Sequence, residues 1–455
     1  MAKIKNVDMV NGNLLAAIIR YSIPMILIAL IQNLFSSVDM IVLGQVANTS
    51  AVASVGATAV ILGLLVNIFN GIGSGAKVVL ARLLGAGDEE RVQKTVSTAM
   101  ITAVLLGILS ATLGFFLAEP FLVWTDCPAD CFEGALLYMR IYVLSAPAIL
   151  IYNFGTAVIS VSGDSQRPLY YMMMAGGLNV LLNFVLCMIL PEKVAAVAIA
   201  TAASQVLGAV LVVNRLSRIE GPCHFSFRQP SFNRTSFSRL MANGLPLSLN
   251  SALYPLANLQ IQTATNALGS AVVAGTSASI NLENMVAALS GSAFAAGATA
   301  FVGQNIGAGK PDRVKKSILY CLGIGVILAL IFGVTVYTFS APLASLYVGN
   351  DQAAIAAAQT RMTYVLLPYA ICVTFGVVNH VLQAFGYSSF TASVNIICVL
   401  GFRIFWMALV YPMYPTYACI CQCYLVSWLL TLVTVGSFLF YVYFGRYKKG
   451  KIKKM

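Results

Sequence analysis

The sequence predicts an all-α polytopic membrane protein with twelve transmembrane helices in two six-helix lobes, related by a pseudo-twofold along the membrane normal. Three observations predict this: an apolar composition, a succession of segments long enough to span a bilayer, and an internal duplication. Of 455 residues, 59% are hydrophobic and 9% charged, and mean hydropathy is +0.86. Water-soluble globular chains do not reach such values.

A spanning helix needs about 20 predominantly apolar residues, and twelve such segments lie in 14–40, 51–76, 95–118, 136–160, 168–190, 194–214, 240–266, 272–300, 317–340, 360–384, 390–412 and 420–444. Span one leads directly into further spans, with no small-residue cleavage site or soluble domain after it, so it reads as a retained helix. Pro24 within it predicts a hinge, because proline removes a backbone hydrogen bond and crowds the preceding turn. Span two ends in "GIGSGA" (71–76). This lies inside a helix and is not a dinucleotide fingerprint; its small residues permit close helix packing. Spans three and four flank "TDCPADCFEG", whose Cys127 and Cys131 could pair in an oxidising compartment. After spans five and six comes the longest polar stretch, 215–239, too short for a catalytic or nucleotide-binding domain. It links an N-lobe (1–214) to a C-lobe (240–445) holding spans seven to twelve, and 446–455 is a basic tail. In "CICQC" (419–423), a helix turns Cys421 away from Cys419 and Cys423, which favours buried cysteines over a metal site.

The duplication is explicit. "LLGAGDEERVQK" (83–94) returns as "NIGAGKPDRVKK" (305–316) at an offset of 222, which also pairs Pro24 with Pro246. An offset of 221 pairs Arg140 with Arg361 and Pro147 with Pro368, and 223 pairs Gly163 with Gly386. Since each half holds an even number of spans, both enter the membrane in the same orientation, an arrangement transporters use around a site between repeats. The Gly-Ala-Gly turns are not phosphate cradles. "GAGKP" lacks the glycine five residues ahead of Gly309 and the Ser or Thr after Lys310. They read as tight turns, with Arg91 and Arg313 anchoring to headgroups or a neighbouring helix. With no nucleotide site, transport has to be driven by an ion gradient, and no cofactor or metal is expected.

The net charge of +12 does not point to nucleic acid. Most Lys and Arg fall on one side of the twelve-span topology: the N-terminus, the loops holding Lys77, Arg82, Arg91 and Lys94, Arg167, the 215–239 stretch, Lys310 to Lys316 and the tail. By the positive-inside rule both termini are cytoplasmic.

Asp39 in span one and Glu283 in span eight are the acids within spans. A mid-helix charge costs about 2.5–3.5 kcal/mol on insertion scales, so such groups face the protein interior or a water-filled cavity. A carboxylate there can take up a proton on one side of the membrane and release it on the other. Asp39 lies about 37 Å along its helix, so a headgroup position is the alternative unless the helix kinks at Pro24. For Glu283 the alternatives are an interhelical hydrogen bond or a pairing with Arg403 of span eleven. Asn179 and Asn183 of span five are four residues apart on one face, and Thr201 and Ser204 of span six are three apart. Their oxygens suit a sodium ion, a proton-linked network or plain interhelical bonding. His380 of span ten is a candidate proton relay or a packing residue.

Several stretches together resemble the multidrug and toxic compound extrusion (MATE) transporters over essentially the whole chain. They are Pro24 followed by "VDMIVLG", "GAGDEERV", "SGDSQRP" and "VGQNIGAGKPDRV". "INLENMVA" followed by "VGQNIGAG" is most similar to the bacterial branch of DinF and MepA type exporters. The resemblance implies a V-shaped exporter of amphipathic organic cations in the bacterial cytoplasmic membrane. It would act as a monomer, alternate between outward- and inward-open states and be driven by protons or sodium. It also implies that a span-one aspartate, two span-five residues and a span-six threonine form the cation site, here Asp39, Asn179, Asn183 and Thr201. The second span-five position is commonly acidic in the family and is neutral Asn183 here, which favours a proton over sodium. Acids that other members carry in spans seven and ten are missing between Gly244 and Gly269 and between Thr363 and Gly386. The rival within the same superfamily, a lipid-linked precursor flippase, is expected to line its cavity with several Arg or Lys, whereas Arg403 alone stands clearly inside a span. A membrane-embedded enzyme is disfavoured, because no nucleophile pairs with a histidine and no acids pair on one helix.

Overall fold

The computed structural model describes residues 7–46, 49–125, 127–226 and 230–447, excluding the side chains of 33–46, 49–53, 60, 130, 254–257 and 259. Among the described residues the chain is helical and has no strands. Spans one to three are α1 (Leu14–Val46), α2 (Thr49–Ala86) and α3 (Glu89–Trp124). Span four is a bent pair, α4 (Ala129–Val143) and α5 (Ala146–Val161), and spans five and six are α6 (Gln166–Ile189) and α7 (Lys193–Leu216). In the second half, α8 (Arg234–Ala267) is followed by α9 (Ser270–Ala287), which continues through a π-helical turn into α10 (Ala293–Gly307). Next come α11 (Pro311–Thr338), the short α12 (Ser340–Val348), and the bent pair α13 (Gln352–Arg361) and α14 (Tyr369–Ala384). The eleventh span, α15 (Ser388–Asn395) and α16 (Phe402–Phe405), is interleaved with π-helical turns, and α17 (Tyr417–Phe440) is the last.

Nine helices among the described residues are long and apolar enough to cross a membrane, eleven if each bent pair is one span. The 34-residue α8 is rich in Ser, Asn and Thr and makes the twelfth.

The repeat seen in sequence is carried into the backbone. The two bent pairs turn by 45° and 42°, at Pro147 and Pro368, where a residue without an N–H can begin a new helix but not continue an old one. Gly87 and Gly309 end the duplicated turns with φ of 69° and 67°, a left-handed conformation that glycine adopts without steric cost. The acidic copy caps its helix: Asp88 Oδ1 accepts from the Arg91 N–H at 3.1 Å, with Glu89 and Glu90 in the first turn. Even the outward apolar stripes repeat. Leu105, Ile108 and Leu109 of α3 are exposed, as are Ile327, Leu330 and Ile331 of α11, at the same offset of 222. Such stripes suit contact with lipid chains.

One expectation is corrected. Lys77 and Arg82 lie in α2 and not in a loop, because the apolar pattern continues past Ala76 through buried Val78, Val79, Leu80, Ala81 and Leu83, and Arg91 and Lys94 lie in the opening turns of α3, which starts at Glu89.

The chain folds as two compact units. The first comprises Met1–Val7, Leu27–Leu84 and Asp88–Ser248; the second comprises Asp8–Ile26, Gly85–Gly87 and Leu249–Met455. Each half's leading helix changes unit shortly after its proline, at Ile26/Leu27 and Ser248/Leu249, again 222 residues apart. In the first unit, α5 packs on α3 and α7, and α6 on α7, around a core that includes Phe69, Leu80, Val96, Leu150, Phe154 and Val212. The small-residue stretch in α2 serves close packing as expected. A Cβ on Gly71 would stand 2.4 Å from Ser248 Cα, and one on Gly75 2.4 Å from Gly244 N. In the second unit, α9 packs on α13, and α14 packs on α10, α11 and α17.

Candidate functional site

Each unit contains a cavity. The one in the first unit, about 600 Å³, lies among α1, α2, α4, α5, α6 and α7 and is lined by Gln32, Asn67, Asn70, Tyr138, Tyr152, Asn153, Asn179, Thr201, Ser204 and Gln205, among others. Its described lining residues carry no formal charge. The i, i+4 spacing on α6 aligns Asn183 and Asn179, and Asn183 Nδ2 donates to Asn179 Oδ1 at 3.2 Å. Asn179 Nδ2 donates in turn to Thr201 Oγ1 at 3.3 Å across to α7, and Thr201 Oγ1 donates to the Val197 carbonyl at 3.0 Å. Ser204 Oγ donates to the Thr201 carbonyl at 2.7 Å. The chain of donors runs from the fully buried Asn183 towards the cavity wall, so Asn179 Oδ1 and Thr201 Oγ1 each already accept a hydrogen bond. Asn153 Nδ2, on the wall, has no hydrogen-bond partner among the described residues.

The second unit's cavity, about 310 Å³, is lined by residues of α8, α9, α13, α14, α16 and α17, including Asn258, Thr276, Glu283, Arg361, Tyr369, Arg403, Tyr424 and Trp428. Glu283 is gripped by Arg361, Nε to Oε1 at 2.7 Å and Nη2 to Oε2 at 2.9 Å, and Ser279 Oγ donates to Oε1 at 2.9 Å. The pair is buried, with side chains 5% and 10% exposed. Arg403 donates from Nη1 to Asn258 Oδ1 at 2.7 Å. Both guanidinium carbons stack on the Tyr424 ring, at 4.7 Å for Arg361 and 4.2 Å for Arg403. The ion partner of Glu283 is thus Arg361 and not Arg403. The sequence held a signal for it, since Arg361 recurs with Arg140 in the duplication, but its position at the start of a span concealed its burial.

The remaining candidates are dispersed. Asp39 falls on the part of α1 whose side chains lie outside the described residues. Pro24 sits within α1, in the stretch belonging to the second unit. His380 Nδ1 is 2.9 Å from Thr299 Oγ1, away from either cavity lining. Asn179, Asn183, Thr201 and Ser204 come together in the first unit, while Glu283 and Arg403 line a different cavity in the second. The duplicated turn has a role that spacing alone did not specify. Arg313 Nη2 donates to the carbonyls of Met9 at 3.3 Å and Gly12 at 3.0 Å, Lys310 Nζ donates to Asn11 Oδ1 at 2.7 Å, and Asn305 Nδ2 donates to the Met9 carbonyl at 3.0 Å.

The MatE family model matches the chain twice, over residues 24–185 and 246–409, beginning at Pro24 and Pro246 and so marking the same duplication. A probable multidrug resistance protein of Bacillus subtilis, YoeA, is 23% identical over 394 residues, which is 84% of each chain. An FAD transporter of Shewanella oneidensis is 26% identical over 336 residues, 70% of this chain and 71% of that one. A solved MATE structure in its bent conformation superposes with a TM-score of 0.88 at 20% identity, covering 99% of both chains. The twice-matched family model, spanning well over half the sequence, places the protein: it belongs to the MatE family and is a multi-pass membrane transporter of the MATE type, not an enzyme.

Proposed function

We propose that the protein is a secondary active exporter of amphipathic organic cations, driven by proton antiport, with Asp39 as the acid that alternately holds the proton and the cation. The observation that carries this reading is the first unit's cavity. Its described walls are polar but uncharged, so a single carboxylate on α1 would set its electrostatics. By helical periodicity Asp39 occupies the register position two turns beyond Gln32, which lines that cavity. The Asn183, Asn179 and Thr201 chain of donors gives an ionised carboxylate neutral partners. Because it presents no second acid, it suits a proton better than sodium, which remains the other coupling ion to be assayed.

Alternating access then acts through α1. Protonation of Asp39 changes its hydrogen-bond partners, and α1 bends at Pro24, close to the point where the helix passes from one compact unit to the other. The first unit's cavity closes and the cargo leaves outward. In this reading the protein works as a monomer in the bacterial cytoplasmic membrane with both termini inside. Efflux of a fluorescent organic cation from cells with matched expression of wild-type and Asp39→Asn protein tests it. Loss of gradient-dependent efflux in the variant is expected, and undiminished efflux overturns the coupling role. Flavin adenine dinucleotide, the cargo named for the Shewanella oneidensis relative, is the comparison cargo.

A further inference from the structure

An apolar groove on the outside of the first unit plays no part in that export cycle. It measures about 320 Å³ and runs between Ile108, Thr112, Phe115 and Phe116 of α3 and Leu144 and Pro147 at the bend of span four. Ile108 also belongs to the outward apolar stripe of α3, so the groove opens on lipid chains. An ion pair stands at its head. The Arg140 guanidinium carbon lies 5.2 Å from the centre of the Phe115 ring, and Arg140 Nη2 lies 3.6 Å from Glu119 Oε2, with side chains 37% and 58% exposed. Glu119 is one turn beyond Phe115 and about 7–8 Å along α3 from Trp124. Trp124 is 81% exposed at the end of the helix, and tryptophan collects at the membrane–water interface. The pair therefore sits at headgroup depth and the groove at the depth of the first acyl carbons.

The duplication supplies the comparison that makes this pair informative. Arg361, the counterpart of Arg140, grips its carboxylate through two parallel hydrogen bonds. Arg140 makes no hydrogen bond among the described residues: the Glu119 oxygen is beyond hydrogen-bond range, and Arg140 Nε has no acceptor. A guanidinium carries five N–H donors, and an exposed charge bordering hydrocarbon is disfavoured unless it is matched. Pro120 adds an acceptor, because position 120 has no N–H to offer the Phe116 carbonyl one turn earlier. The groove head thus presents donors on Arg140 beside acceptors on Glu119 and Phe116, above an apolar channel. One ligand answers all three with an oxyanion, an N–H cation and an alkyl chain. Phosphatidylethanolamine has this constitution, whereas the quaternary ammonium of phosphatidylcholine has no N–H and phosphatidylglycerol has no cation. We propose that this groove binds one phosphatidylethanolamine of the bilayer, its phosphate received by Arg140, its ammonium by Glu119 and the Phe116 carbonyl, and an acyl chain laid between α3 and the bend of span four.

The test is native mass spectrometry of the purified full-length protein titrated with phosphatidylethanolamine, phosphatidylcholine and phosphatidylglycerol of identical palmitoyl and oleoyl chains. Because it measures lipid binding and not transport, its outcome is separate from that of the Asp39 efflux assay. For the first lipid bound, the wild type is expected to prefer phosphatidylethanolamine to either other lipid by about tenfold, the worth of one charge-assisted hydrogen bond. Arg140→Gln and Glu119→Gln are each expected to reduce that preference to within about twofold. Each preference is a ratio within one sample, so a smaller folded fraction does not imitate its loss. Thr112→Phe fills the groove from an exposed position and leaves the ion pair in place; it is expected to weaken phosphatidylethanolamine binding by several-fold. Equal binding of the three lipids by the wild type, which marks an adventitious annular lipid only, overturns the proposal. So does an undiminished preference in both charge variants, or unchanged phosphatidylethanolamine affinity in Thr112→Phe.

Discussion

Arg361 holds Glu283 from the side, both carboxylate oxygens engaged at 2.7 and 2.9 Å, with the guanidinium carbon 4.7 Å from the centre of the Tyr424 ring. The bond joins α13 to α9, the two helices whose packing anchors the second unit. A buried pair is costly to desolvate, yet breaking it by removing one member costs about 3–5 kcal/mol because the other charge is stranded. Arg361→Ala should therefore lower the melting temperature of the purified protein sharply. Arg361→Met combined with Glu283→Leu should recover most of that loss. If the single variant melts like wild type, the pair does not carry the unit's stability.

Close backbone contact makes a second prediction. Gly75→Ala places a methyl 2.4–2.5 Å from the backbone of Gly244, and overpacking of this kind costs about 1–3 kcal/mol. Gly63→Ala meets nothing within 4 Å and should be neutral or stabilising by up to about 1 kcal/mol. Equal melting temperatures for the two variants would contradict the close crossing of α2 and α8.

The N-terminal turn is expected to be acid-sensitive. The amide of Asn11, and further those of Val10 and Gly12 and the charge of Arg313, hold the Asp8 carboxyl below the usual carboxylate range against the opposing effect of burial. A depressed folded-state value means that Asp8 stabilises the turn above the unfolded carboxylate pKa, and that this is lost as pH falls through the folded value. Amide exchange at Val10 and Asn11, corrected for intrinsic rates, should thus be well protected at pH 7 and several-fold less so in strong acid. Asp8→Asn should show the weaker protection at both. A wild-type turn indifferent to acid would count against this.

Cys223, outside the spans, has its thiol pushed up to about 11 by burial. Only the thiolate is nucleophilic, so at pH 7.5 it should alkylate roughly 300-fold more slowly than an ordinary thiol of pKa about 8.5, and faster as pH rises. Peptide mapping after timed exposure to iodoacetamide measures this. Prompt modification at neutral pH would contradict the burial.

Much of the fold was legible because a bilayer imposes a strong code: apolar length gave the spans, and Pro147, Pro368, Gly87 and Gly309 marked their bends and turns. Lys77 and Arg82 misled because charge was taken as the end of a helix, when buried neighbours on the same helix carry it ten residues further. Spacing put Asn183 and Asn179 on one face of α6, whereas the bond across to Thr201 of α7 is set by packing. The partner of Glu283 did not follow from spacing, since Arg403 alone stood clearly inside a span, whereas packing brings in Arg361 from the start of another. Likewise, spacing could suggest that Arg313 anchors a neighbour, but the carbonyls it reaches, Met9 and Gly12, are about 300 residues away in sequence.

The central claim is that Asp39 couples cation export to proton entry. Proteoliposomes containing wild-type or Asp39→Asn protein, loaded with a fluorescent organic cation and given proton and sodium gradients separately, test it most directly. The account predicts that a proton gradient alone drives transport by the wild type, that a sodium gradient alone does not, and that the variant transports under neither. Proton-driven transport by the variant at the wild-type rate would contradict it.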